Sequence, residues 1–481
     1  MPTQVVDVDL QTETGAIAQR TFSDLIVIAR YPTEPDPTFN EPRVYDAASQ
    51  VASEFGSGSD AHESALEIER QGARQFWVVM LETEEHSETL GDSDTESTQE
   101  GEVENTPMLG GDDNIDVTVD GVSVDNVFTT VSPPEEPDEG EAAINTDTGE
   151  IHVGDETTGQ DAGIQVEYLT SSFDAAEPEL TEGRFDLAIL ADTRADRSYI
   201  GELSQLNSWI EGNEAAMVLA HANGNQYDTD EQAMQAAHAV GGYITSGRVL
   251  PIAHKSNDDV GAGFAGRLAT KRPWFNPYMD GGADYGFSME SYRKSLIGSP
   301  NQPNTFEGGD SEGAGPANVL YREMGSQLLS NSLSTAGADS NYQFFDVART
   351  EAFIVHEVKT ALRELRLHRE SIPFAPIGRT LIEAKLRDRL NAYVSPTGRA
   401  LSPEETARLV DDDDGPFFLD QPRLSSDSQA NVPLSELRIN VPRYDDLPQN
   451  DRANRVWSGI RIDATLAGNV HTFQVELAVL V

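Results

Sequence analysis

Between Gln75 and Gly183 the chain carries neither lysine nor arginine, while acidic residues crowd together, most densely in ETEEHSETLGDSDTESTQEGEVE. A block of like charge usually stays solvated, so this stretch is expected as a linker or outer-surface loop and not as core. After it come short alternating runs, IDVTVDG, VSVDNVF, TGEIHV and GIQVEY, punctuated by turn residues such as SPPEEPDEG. That alternation predicts a small all-β domain inserted into the chain.

The flanking regions have other textures. VVDVDL alternates near the start, and DLIVIAR reads as a buried strand beside the turn residues of YPTEPDPTFNEP. Helical spacing places Val44, Ala48, Val51 and Phe55 on one face, Asp60 is expected to cap the next helix, and WVVML reads as a second buried strand. From Phe185 onward, strand-like runs (DLAILADT, AAMVLAHANG, GRVLPIAH) alternate with helix-like ones (IGELSQLNSWIEG, EQAMQAAHAVGG), which predicts a parallel sheet. Residues 273–318 are rich in Gly, Pro and Asn and are expected mostly as loop. Further on, residues 351–369 predict a helix with an apolar stripe of Ile354, Val358, Ala361, Leu362 and Leu365 beside a basic stripe of Lys359, Arg363 and Arg366. A second helix carries Ile382, Leu386 and Leu390, and Ser402, Pro403 and Glu405 form a capping box. LRINV, IRIDATL and FQVELAVLV then read as strands.

At 481 residues the chain exceeds what one hydrophobic core holds, and two to four domains are expected. Thirty-three basic residues against 83 acidic ones give a net charge of -50, and the lysines are only Lys255, Lys271, Lys294, Lys359 and Lys385. Such self-repulsion destabilises a compact state in ordinary buffer, but at about 1 M salt the screening length falls to roughly 3 Å. The composition therefore predicts a high-salt environment. It excludes nucleic acid as a main partner, because counterion displacement needs clustered Lys and Arg. Without cysteine there are no disulfides, thiol nucleophiles or thiolate zinc sites. The opening MPTQVVDVDLQTE lacks the features of a secretion signal, and no apolar run reaches the roughly 18 residues a membrane span needs, so a soluble protein made in the cytoplasm is expected, with no membrane partner.

Motifs that would carry chemistry fail on context. In FGSGSDAHESALEIER a helix, not a strand, precedes Gly56 and Gly58, and no lysine follows, so the knot is read as a turn and helix cap. Gly261, Gly263 and Gly266 spell GxGxxG, but the preceding strand ends too early, which favours close packing of a Gly/Ala helix. HEVKT puts Thr360 where a second zinc-binding histidine must stand, one turn after His356. Ser291 and Lys294, the run Asp411 to Asp414, and the scattered His221, His238 and His254 carry no catalytic or metal assignment. Catalytic, metal and cofactor sites are accordingly expected to be absent. Electrostatics say more: from Arg349 to Arg399, ten basic residues against six acidic ones leave +4 inside a chain of -50. Intrahelical pairs such as Glu383 with Arg387 account for part of this, and the excess predicts a face for an acidic partner.

In their order, FGSGSDAHESALEIERQGARQFWVV, a β region with TGEI and GIQVEY, DLAILADT, then AGFAG followed by KRPWFNP, these segments resemble the tail sheath proteins of contractile-tailed viruses and related injection machines. The C-terminal third lacks the tryptophan-glycine-alanine-arginine stretch and the terminal glycine-alanine turn of commoner sheaths, and the chain is more similar to a divergent branch, with a haloarchaeal virus the expected source. The resemblance implies hexameric rings stacked helically around a tail tube, terminal arms swapped between subunits, no enzymatic activity, and contraction that drives the tube through a cell envelope. It also implies baseplate and tail terminator proteins as partners and a virion tail as location.

The fold class expected from all this is a mixed α/β and α+β multidomain chain. Residues 1–85 form an N-terminal arm and the first part of an inner domain, completed by residues 346–481, which face the tube. Residues 86–172 form the acidic linker and inserted β domain, and residues 173–345 an α/β domain with a mostly parallel sheet and a loop-rich end. Lys359, Arg363 and Arg366 are the expected tube-facing residues. Val6, Val8, Leu10, Phe473, Val475, Leu477, Val479 and Val481 are expected on inter-subunit strands, because unpaired strand edges invite β-augmentation. The competing readings are a halophilic α/β enzyme, a hydrolase or nucleotide binder using residues 173–290, and a halophile surface protein.

Overall fold

A computed structural model of the chain describes residues 4–10, 23–30, 39–90, 98–106, 108, 115–119, 122–124, 126–129, 141–145, 148–154, 164–171, 173–183, 185–191, 200–213, 215–223, 244–254, 259–275, 277, 318–323, 326–329, 332–336, 343–367, 372–394, 434–454, 456–466 and 472–480. The chain divides into two compact units, one of residues 21–345 and one of residues 1–20 with 346–481.

The larger unit is organised by an eight-stranded sheet. Its strands are β2 (Leu25–Arg30), β3 (Arg43–Tyr45), β4 (Phe76–Leu81), β13 (Leu187–Leu190), β14 (Ala216–Asn223), β15 (Val249–His254), β16 (Asn318–Glu323) and β17 (Ser326–Leu329). They lie in the order β17-β16-β15-β14-β13-β2-β4-β3. The six inner strands are parallel, and β3 and β17 close the edges antiparallel. Continuous apolar runs suit strands covered on both faces. Leu25, Val27, Ala29, Val78, Met80, Leu187 and Ile189 pack on one side with Phe55, Ile68 and Phe264. These last come from α1 (Ala48–Phe55), α2 (Asp60–Arg70) and α5 (Val260–Ala269). Ile26, Ile28, Val79, Leu81 and Ala188 pack on the other side with Leu180, Leu206, Trp209 and Ile210, from α3 (Phe173–Gly183) and α4 (Ile200–Asn213).

Of residues 1–85, only residues 1–20 group with the C-terminal third. β2 pairs with β4 on one side and with β13 on the other, Leu25 opposite Leu187 and Val27 opposite Val78, so residues 25–81 belong to the α/β layer. A strand that is apolar on both faces needs neighbours on both edges and helices above and below, and β13 and β4 provide the edges. Val44 is also relocated: it sits on edge strand β3, 44% exposed, and not on the helical face with Ala48, Val51 and Phe55. The histidine, lysine and loop assignments at His238, Ser291, Lys294 and most of residues 273–318 lie outside the described residues, as do the helix expected over EQAMQAAHAVGG and the capping box at Ser402.

Between β4 and α3 the chain leaves the layer and builds a β-sandwich. One sheet runs β6 (Thr98–Glu102), β11 (Glu150–Gly154), β10 (Glu141–Ile144), β9 (Asn126–Thr129); the other runs β5 (Thr83–Leu90), β12 (Ile164–Ser171), β7 (Ile115–Val119), β8 (Val122–Ser123). Leu90, Val103, Met108, Ile115, Val117, Ile144, Ile151, Val153, Ile164 and Val166 fill the space between them. The acidic stretch expected as linker thus contains two strands. β5 pairs with β12 from Thr83 opposite Ser171 to Leu90 opposite Ile164, because a partner strand supplies the hydrogen bonds that local composition does not predict.

Two glycine motifs are explained by packing. Gly56 and Gly58 have φ of 92° and 86°, a left-handed region that glycine adopts without strain. Ser59, not Asp60, caps α2, its Oγ accepting from the His62 N–H at 3.3 Å. In α5, a Cβ on Gly266 would stand 2.9 Å from the Ile68 Cα, so the GxGxxG spacing lets α5 lie against α2. Asp259 caps α5 by accepting from the Ala262 N–H at 2.8 Å and also accepts a hydrogen bond from the Ser64 hydroxyl. Because the obstacle is backbone, Gly266→Ala is expected to destabilise the chain by about 1–3 kcal/mol in chemical denaturation, whereas Gly263→Ala, whose Cβ meets nothing nearer than 3.8 Å, leaves the transition nearly unchanged.

Candidate functional site

The smaller unit joins the two ends of the described chain. β1 (Gln4–Leu10) runs parallel to β20 (Thr472–Leu480), with Gln4 opposite Phe473, Val6 opposite Val475, Val8 opposite Leu477 and Leu10 opposite Val479. β20 is antiparallel to β19 (Val456–Leu466), and β19 to β18 (Leu434–Asn440), giving the order β1-β20-β19-β18. A bulge between Trp457 and Ile460 contains Gly459 at φ 69°. Beside it Trp457 is fully buried, donates from Nε1 to the Pro442 carbonyl at 3.1 Å and meets the Phe374 ring edge-on at 5.2 Å. Of the strand residues singled out from sequence, Val6, Val8, Leu10, Phe473, Val475, Leu477 and Val479 meet in one β1–β20 register within the chain, and Val481 lies outside the described residues. β1 is an edge strand among the described residues.

The basic segment lies on α6 (Phe345–Leu367) and α7 (Pro376–Leu390), the first starting six residues earlier than the spacing predicts, and residues 368–370 lie outside the described residues. Much of its positive charge is matched inside the unit. Arg389 grips buried Glu357 with two donors, Nε to Oε2 at 2.6 Å and Nη2 to Oε1 at 3.1 Å, and the Tyr393 hydroxyl donates to the same carboxylate at 2.8 Å. Lys385 Nζ lies 2.7 Å from Glu364, and Arg387 pairs with Glu383 at 3.0 Å in the four-residue spacing noted from sequence. Arg379 donates from Nε to the Val441 carbonyl at 2.7 Å, tying α7 to the residues after β18. Lys359 and Arg363 are half-buried and engaged within the chain, while Arg366 is exposed beside Leu367, which is 65% exposed.

The Arg389–Glu357–Tyr393 contact escaped the sequence reading. Glu357 and Glu364, seven apart, share one helical face, as do Lys385 and Arg389, four apart, and that matched spacing is the signal that points to it. Burial, the hydrogen bond to Glu357 and its charge push the Tyr393 hydroxyl up to about 12 from an ordinary 10.0, with Arg389 opposing.

His356 and Thr360, at 3.3 Å, face each other one turn apart on α6, and no group of three or more metal-ligating side chains occurs among the described residues. His254 is buried on β15, His221 lies on β14, and the segments after the carboxyl ends of β13, β14 and β15, where an α/β enzyme would bind its substrate, lie outside the described residues, as do Asp411 to Asp414. No helix is long and apolar enough to cross a membrane among the described residues.

Neither protein-family models nor curated proteins match the sequence. Among solved structures, it is similar to the sheath tail protein of Desulfitobacterium hafniense, with 11% identity and a TM-score of 0.44 over 98% of this chain and 100% of that one. It is similar to the sheath tail protein of Listeria innocua, with 11% identity and a TM-score of 0.43 over 94% of each chain. It is also similar to a chain of the anti-feeding prophage baseplate, with 10% identity and a TM-score of 0.46 over 98% and 96%.

The Tyr393 geometry yields a pH signature. Its folded-state proton is held more tightly than in the unfolded chain, so its contribution to stability is complete below pH 10.0 and fades as the pH rises toward about 12. Urea melts of Tyr393→Phe are expected to show a smaller alkaline loss of stability across that window than the parent chain shows; identical losses would remove Tyr393 from the network.

Proposed function

We propose that this chain is a structural subunit of a contractile tail sheath. In this reading it polymerises as stacked hexameric rings around a tail tube, with baseplate and tail terminator proteins at the ends, and its contraction drives the tube through the host envelope. Two things support the reading: the ordered segments that resemble sheath proteins, and the way the unit of residues 1–20 and 346–481 is built. The observation that carries it is the parallel seven-position register of β1 on β20.

A strand paired in this way holds its place by backbone hydrogen bonds that a second copy of the same sequence offers identically. Twelve residues, 11–22, connect β1 to β2's segment, and a chain of that length spans at most roughly 40 Å when extended. The same register can close within one molecule or between neighbours, and exchange between neighbours covers the strand edges of a polymer while the connecting residues keep the units linked as they rotate. In the assembled form, β1 of one copy completes the sheet of the next, and the exposed end of the basic stripe at Arg366, with Lys359 and Arg363, faces an acidic tube.

Electron microscopy in molar salt tests the reading directly: long striated cylinders are expected, and monodisperse monomers at high concentration would overturn it. Deleting residues 472–481 removes the β20 register and is expected to abolish cylinders while the α/β unit remains folded by circular dichroism. Reversing Arg366, the exposed member of the stripe, to glutamate is expected to leave sheath cylinders intact but to weaken their attachment to tubes, measured by co-sedimentation.

A further inference from the structure

The β-sandwich concentrates the chain's charge. Residues 83–171 contain 25 Asp and Glu and no Lys or Arg, so this stretch carries -25, half of the total of -50. The strand register then sets acids against acids. Glu102 on β6 lies directly opposite Glu150 on β11, and Asp116 on β7 lies directly opposite Glu167 on β12; all four are exposed. The other sheet edge adds Glu84, Glu85 and Glu88 on β5. The only side chains in this stretch able to become cationic are His86, 4.0 Å from Glu84, and His152, 3.0 Å from Glu150. One carboxylate is held in place: Glu88 accepts from the Tyr168 hydroxyl, the Asn105 side-chain amide and the Glu104 N–H.

Directly opposed residues in an antiparallel pair have Cβ atoms roughly 5 Å apart, and like charges there are destabilising. That separation falls between two screening lengths. At 0.1 M salt the screening length is about 10 Å, longer than the gap, and most of the repulsion is felt; at about 1 M it is roughly 3 Å, shorter than the gap, and the repulsion is mostly gone. The eight-stranded layer answers to different forces. Its strands β2, β4, β13 and β15 are buried apolar runs, and concentrated salt acts on them chiefly through burial.

We infer that the sandwich of residues 83–171 is a salt-dependent folding unit, which opens as salt is withdrawn while the eight-stranded layer that carries it stays closed. The structure allows this separation, because the sandwich has its own apolar core and is attached by two adjacent strands, β5 leaving after β4 and β12 returning before α3. The inference does not depend on the sheath reading.

Hydrogen exchange on the full chain, stepped from 3 M to 0.1 M potassium chloride, separates the two parts (roughly a fourfold change in screening length or more). Amides of β6, β7, β11 and β12 are expected to lose protection at a higher salt concentration than those of β2, β4 and β13. The double substitution Glu102→Lys and Asp116→Lys turns both opposed acid pairs into opposite-charge pairs. It is expected to lower the opening constant of the sandwich at low salt by roughly tenfold and to move its midpoint to lower salt, with the β2, β4 and β13 amides unchanged. Simultaneous loss of protection in sandwich and layer, or a sandwich midpoint that the double substitution leaves in place, overturns the inference.

Discussion

The pairing of β2 with β13 and β4 is the contact on which the larger unit depends. Leu25–Arg30 is buried almost throughout and supplies alternate side chains to both cores: Leu25, Val27 and Ala29 to one, Ile26 and Ile28 to the other. A parallel strand cannot be reached by a tight turn, so everything between β4 and β13 has to leave the layer and return. The sandwich of residues 83–171 and helix α3 are what the chain does in that excursion. The insertion leaves after β4 and returns before α3 through two strands, β5 and β12, that pair with each other.

Charge is distributed along the same division. The layer is held by apolar burial and by a few satisfied polar groups, of which Asn318 is the clearest: fully buried, it donates to the Pro251 and Leu333 carbonyls at 2.8 and 2.7 Å and accepts from the Leu333 N–H at 2.8 Å. The sandwich has a core of its own but a surface with almost no counter-charge. The smaller unit is different again, with arginine and lysine on α7 matched to glutamates on α6. A fork of two donors on a buried carboxylate fixes how two helices sit against each other in a way a surface pair does not. That helix pair belongs to the same unit as a sheet whose outermost strand comes from the far end of the sequence.

The backbone hydrogen bonds that hold β1 in register on β20 are the same whichever copy of the sequence supplies the strand. Effective concentration decides between the copies, and the chain's own strand holds the advantage that its tether confers.

Much of this was legible in the residues. Buried strands announced themselves as LIVIAR, WVVML and LAIL, the sandwich strands as alternating runs, and the glycines of FGSGS and GAGFAG as a turn with a helix cap and a close helix contact, because period and local backbone chemistry are properties of a few consecutive residues. What only the tertiary structure decided was partnership. It assigned residues 25–81 to the α/β layer and not to the C-terminal unit, made strands of TEEHSETL and TQEGE, matched Glu357 with Arg389 and Tyr393, and set β1 in register on β20. Each of these joins residues far apart in the chain, and neither propensity nor periodicity carries information about which distant edge or charge a segment will meet.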